Sequence, residues 1–149
     1  MSWIEFEKDS PDLASLGFEK LNRKIVYLAT LKKDGSPRLN PVTPFIENGK
    51  LFMFTEPTSP KIRDIRRDGR YVMHCSVSRE GPLIEFLVSG NAEEITDSIV
   101  RKQAENIAAL PVVDESYALF EFQVERVLAV EYDEENKKVI RRWNREKVR

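Results

Sequence analysis

The chain has 149 residues, 33% charged and 41% apolar, which suits one folded domain and excludes a fibrous or disordered chain. Lys and Arg number 24 against 25 Asp and Glu, so the net charge is −1 and no global basic field exists to hold nucleic acid. One cysteine, Cys75, excludes an internal disulfide and a cysteine-based metal cluster.

At the amino terminus, Met1-Ser2-Trp3-Ile4-Glu5-Phe6-Glu7 lacks the basic start and long apolar run of a signal peptide. Nothing reaches the roughly 20 apolar residues of a membrane span, so a soluble, cytoplasmic protein is expected. Ser10, Pro11 and Asp12 predict a helix start, with Leu13, Leu16 and Leu21 on one face and a break at Gly17. This helix is the one element expected to be able to detach. Residues 25–31 read as a buried strand, and Lys33-Asp34-Gly35-Ser36 as a hairpin turn. The next strand covers 38–46 with Pro37, Pro41 and Pro44 in or beside it, which predicts an edge or bulged strand with backbone groups free for a ligand. Asn48-Gly49 turns the chain into a strand over 50–55.

Residues 54–70 carry the strongest local signal. Ser59 suits a helix N-cap and Pro60 the first helical position. Lys61 then sits in the first turn, where the helix dipole favours an acid, which points to an anion between the lysine and the free amides. Taken without its surroundings, the same stretch reads as a solvated basic helix. Strands follow over 71–77 and over 83–88, ending near Gly90. A helix capped at Thr96-Asp97 and stopped by Leu110-Pro111 comes next, then one long strand over 117–132 and a last strand over 139–143.

His74 is the only histidine, which rules out histidine ligand clusters. No G-x-S-x-G, H-E-x-x-H, G-x-x-x-x-G-K or G-x-G-x-x-G pattern occurs, so no catalytic residue and no metal site is assigned. Any redox or transfer chemistry would belong to a bound cofactor.

Leu28-Ala29-Thr30-Leu31, Asp34-Gly35-Ser36-Pro37-Arg38 and Asn40-Pro41-Val42-Thr43-Pro44 resemble the first hairpin of the pyridoxamine 5′-phosphate oxidase-like flavoproteins. Leu51-Phe52-Met53-Phe54-Thr55, Ser59-Pro60-Lys61 and Ile65-Arg66-Arg67-Asp68-Gly69-Arg70 continue the resemblance in order. It implies a mainly β fold with flanking helices, a split β-barrel of about six to seven mostly antiparallel strands, over 1–149 as a single domain. It also implies a homodimer with flavin mononucleotide, FMN, in a groove between subunits. By position, Arg38, Asn40, Pro41, Val42 and Thr43 would line the isoalloxazine ring. Phe54, Thr55 and Ser59 would flank the phosphate, with Lys61 as its main cation, Arg38 as the second and Arg67 as a third. Glu85 falls where relatives place a ring-edge glutamine, and Trp143 resembles a tryptophan offered by the other subunit.

Three departures stand out. Pro60 replaces an arginine, Glu85 brings a charge where an amide is usual, and no histidine follows Trp143 to grip pyridoxal phosphate. Oxidation of pyridoxamine phosphate is therefore not expected. The implied activity is an FMN-dependent oxidoreductase passing electrons between NAD(P)H and a small substrate, with no nucleic-acid or membrane partner. A reductase using the deazaflavin F420 on the same fold stays open, as does a non-catalytic flavin- or haem-binding module for sensing, storage or stress.

Overall fold

Short apolar segments joined by tight turns build one antiparallel sheet that curls into a half-barrel. The computed structural model describes residues 1–108 and 114–148. Helices α1 (Trp3–Asp9) and α2 (Pro11–Leu21) come first, followed by β1 (Val26–Leu31), β2 (Pro37–Val42), β3 (Phe45–Glu47) and β4 (Lys50–Thr55). Then come α3 (Lys61–Arg67), β5 (Arg70–Cys75), β6 (Glu85–Glu94) and α4 (Ser98–Ala108). Strands β7 (Ala118–Phe122), β8 (Arg126–Tyr132) and β9 (Lys138–Asn144) lead into a 3-10 turn at Arg145–Val148. No described helix is long and apolar enough to cross a membrane.

The strand order is β2-β1-β5-β6-β7-β4-β3, and β8 joins β6 to β9. Nine strands form among the described residues, because two stretches that each read as one strand are split. The first breaks at Thr43-Pro44. There β2 stays on β1 while β3 pairs with β4 at the far end of the sheet, and the Pro44 carbonyl accepts from the Arg23 amide at 2.9 Å. A proline cannot donate to a ladder and restricts the residue before it, so the chain changes partner there. Strand β2 is an edge strand, as expected, but it is not bulged. Its register with β1 is regular from Val26↔Val42 to Leu31↔Pro37.

The second break lies between β7 and β8. The amides of Gln123 and Glu125 donate to Asn91 and Ser89 across β6, and that of Val124 donates to Met1. Strand β6 does not end at Gly90 but turns a corner there: its first half pairs with β8 and its second with β7. A Cβ at Gly90 would lie 2.1 Å from the Gln123 carbonyl oxygen, so only glycine permits this approach.

The amino-terminal segment also differs from expectation. Helix α1 precedes the expected helix, and Trp3 and Phe6 are buried in the main core with Leu13, Leu21, Phe86 and Trp143. Helix α2 runs unbroken through Gly17, whose missing Cβ would stand 2.5 Å from Phe86 and 2.8 Å from Trp3. The glycine therefore serves close packing rather than a break, and neither helix is free to detach. A smaller cluster of Phe45, Phe52, Leu119, Ala104 and Ala108 lies on the other side of β4, under α4.

Candidate functional site

Side chains alternate along β4, so Phe54 and Thr55 face opposite ways. Thr55 is 4% exposed, and its Oγ1 has no hydrogen-bond partner. A buried hydroxyl without a partner costs free energy unless something else satisfies it. The chain then leaves β4 through residues 56–60 and enters α3. The helix starts one residue later than the sequence suggests: Pro60 is its N-cap, in helical conformation, and Ser59 makes no capping bond. The Ser59 hydroxyl instead accepts from Lys61 Nζ at 2.9 Å. Burial lowers the Lys61 pKa first, and the Arg38 charge lowers it further, against Glu56 and Asp64. The lysine thus feels the arginine as a neighbour, although Arg38 comes from β2.

Packing of α3 on β1 brings these groups together around Asp64, which is 1% exposed. Its carboxylate accepts from Thr30 Oγ1 at 2.9 Å and from Arg38 Nε at 2.6 Å, and Arg67 approaches at 3.4 Å. Arg67 also donates to the Leu31 carbonyl at 3.3 Å. Arg38 is therefore fixed through Nε, while its terminal nitrogens form no hydrogen bond among the described residues. Lys32 and Lys33 of the β1–β2 turn, Arg38, Ser59, Arg63 and Arg67 line a cleft of about 1180 Å³. A second depression, about 620 Å³, lies across α3, where Arg66 and Arg101 are already paired with Glu94 and Glu105. Excess positive charge collects only in the first.

The other expected site residues are more scattered. Asn40 and Val42 are half-buried on β2, whereas Pro41 and Thr43 are exposed. The edge of β2 carries Arg38 into the cleft, while Asn40, Pro41, Val42 and Thr43 lie farther along the chain and do not line it. Phe54 is not in the cleft: its ring meets Phe52 edge-on at 6.3 Å and lies 5.6 Å beneath the Arg101 guanidinium. Trp143 is 8% exposed, packs against Phe6 at 4.9 Å, and donates from its indole nitrogen to Asp9 at 2.5 Å. That indole is committed to its own core and is not offered outward. Glu85 opens β6, three strands from β2, and lies 3.8 Å from His74 Nε2 on the outer face of the sheet. Sequence reasoning missed Asp64 as the anchor. Only its i,i+3 spacing to Arg67 is visible locally, because Thr30 and Arg38 lie 34 and 26 residues away.

Comparisons with known proteins bear on the fold and the family. The chain is similar to the haem-binding protein of Mycobacterium smegmatis, with 19% identity and a TM-score of 0.63 over 82% of this chain. It spans only 53% of that protein's length. It is similar to PhzG of Burkholderia lata, solved with tetrahydrophenazine-1-carboxylic acid, at 15% identity and a TM-score of 0.64, covering 96% of this chain and 87% of that one. A NimC/NimA family protein of Clostridium acetobutylicum gives 17% identity and a TM-score of 0.64, with 95% and 94% covered. These likenesses support the split-barrel fold alone. No curated protein sequence matches the chain. The family model described as pyridoxamine 5′-phosphate oxidase matches residues 18–131, from the end of α2 to β8, and the chain belongs to that family.

Proposed function

We propose that this chain is a homodimeric FMN-binding flavoprotein that transfers electrons from a reduced nicotinamide to a small substrate. The observation that carries the reading is the meeting of Lys61, Ser59 and Arg38 at one end of a proline-bearing edge strand, with the partnerless Thr55 hydroxyl at the end of the strand that leads into Ser59. A flavin phosphate carries roughly −1.5 to −2 charge near neutrality, which two cations and two hydroxyls suit. Lys61 and Arg38 would hold its charge, and Ser59 and Thr55 would donate to its oxygens. Asp64 would keep Arg38 in place, and the open backbone edge of β2 would orient the ring. When bound, FMN supplies the hydride chemistry, and the protein supplies position and electrostatics.

Surface chemistry supports the dimer. Tyr27, Leu39, Val72 and Ile140 are 45%, 66%, 39% and 41% exposed on one face of the sheet. Cross-strand register puts Leu39 beside Ala29, and Ala29 beside Val72. An exposed apolar sheet face of this kind favours a partner, and a second copy of the chain brings the same face to it. Such pairing would enclose the ring that β2 leaves open on one side, and it would give Glu85 a ring to meet only through the second subunit.

A haem-binding reading is weaker here. The hydrogen bond to Cys75, opposed by burial and helped by Glu85, raises the His74 pKa to about 9. Glu85, 3.8 Å from His74 Nε2, stands on the side from which iron would be ligated. The absorption spectrum of the purified protein after incubation with FMN and desalting tests the flavin reading. A retained two-band flavin spectrum at one FMN per chain is expected, and a colourless protein would overturn it.

A further inference from the structure

The cleft is much larger than one phosphate requires. Its 1180 Å³ exceeds the roughly 300–1,000 Å³ of sites that bury an entire small ligand. Its charge is also unevenly used. Arg38 and Arg67 are turned onto Asp64, Arg66 is paired with Glu94, and Lys61 donates to Ser59. Among the described residues, the side chains of Lys32, Lys33 and Arg63 make no hydrogen bond or ion pair, yet all three line this cleft. The pKa of the nearby acid, Asp34, is held low by its Ser36 hydrogen bonds and in part by the Lys32 charge, but it forms no ion pair with any of the three. Asp34 is taken up by its own turn, accepting from the Ser36 amide at 3.0 Å and the Ser36 hydroxyl at 2.6 Å.

The turn carrying the two lysines is held in place. The Lys32 amide donates to the Ser36 carbonyl at 2.8 Å, and the Gly35 amide donates back to Lys32 at 2.9 Å. Arg63, in the first part of α3, lines the same cleft. Three unpaired cations on two separate elements line one open space, an arrangement that an anion between them would complement. Ser59 and Lys61 are half-buried, whereas Lys32, Lys33 and Arg63 are exposed, so the free cations mark a second anionic position, outside the first.

We propose that Lys32, Lys33 and Arg63 form a subsite for a second phosphate, so that the cleft takes the diphosphate of a dinucleotide rather than a lone monophosphate. The proposal rests on the flavin reading for the inner phosphate only. Two sources share this chemistry: FAD, with its adenylate in the outer cleft, or the diphosphate of the nicotinamide donor beside bound FMN.

The full chain and a Lys32→Ala/Lys33→Ala/Arg63→Ala variant, with a Lys33→Glu variant as a second probe, are titrated with FMN, FAD, NADPH and inorganic pyrophosphate. All three positions are exposed, and circular dichroism checks that the variants fold. The triple variant is expected to lose about tenfold or more in affinity for pyrophosphate, and for FAD or NADPH, while FMN changes less than about threefold. FAD that displaces FMN assigns the subsite to the flavin, and NADPH that binds the FMN-loaded protein assigns it to the donor. Equal losses for FMN and the diphosphates, or no loss for any diphosphate, would overturn the subsite. Pyrophosphate binding that depends on these residues in a protein that ignores FMN would sink the flavin reading and leave the subsite standing.

Discussion

Asp64 holds three elements at one point: Thr30 from β1, Arg38 from β2, and Arg67 one turn along α3. Replacing it with Ala leaves the Thr30 hydroxyl and the Arg38 guanidinium without their acceptor. Arg38 is partly exposed, so water recovers some of the loss, and Asp64→Ala is expected to cost about 2 kcal/mol in urea unfolding. Unchanged stability would show that Asp64 is not the anchor. His74 gives a pH test at the same scale. Its folded pKa, raised to about 9 chiefly by the Cys75 hydrogen bond, lies above an unfolded value near 6.5. The stabilisation is therefore complete below pH ~6.5 and is lost as pH rises through about 9. A His74→Gln variant should show a smaller fall in Tm over that window than the parent chain, and an equal fall would refute it. Of these residues, Lys61, Ser59 and Arg38 were legible because strand, proline and lysine follow one another in sequence. Asp64 was not legible, since its acidic side chain counts against an anion site until its partners are known.

Strand, helix and turn types were mostly readable from apolar period and turn residues, but partner changes were not. Pro44 and the 123–125 segment each end one pairing and start another, and no local pattern says that a single apolar run serves two neighbours. The same applies at Gly90, where what matters is a carbonyl from a segment 33 residues later. Helix α1 did carry a signal: Ser2 and Glu5 have capping-box spacing, and the Ser2 amide donates to Glu5 at 2.8 Å. Because α1 buries Phe6 completely against Trp3 and Trp143, Phe6→Ala is expected to cost about 3–5 kcal/mol. A change near zero in the unfolding midpoint would return α1 to the status of a removable arm. Trp143 was expected to be offered to the other subunit, whereas β9 points it into the core that α1 closes.

Over the whole molecule, the curled sheet presents two chemically distinct regions. One is an apolar outer face that includes Tyr27, Leu39 and Val72. The other is a cationic cleft where α3 meets the β1–β2 hairpin. The family was legible from an ordered set of short motifs, whereas the source of the unpaired charge in the cleft emerged only once α3 was packed on β1. The flavin proposal requires a phosphate held by Lys61 and Ser59. Titration of the protein and its Lys61→Ala variant with FMN and with riboflavin, which lacks the phosphate, measures it directly. The parent chain should bind FMN more tightly than riboflavin, and Lys61→Ala should weaken FMN by about tenfold or more while leaving riboflavin unchanged. Equal loss for both ligands, or no loss for FMN, would contradict the assignment.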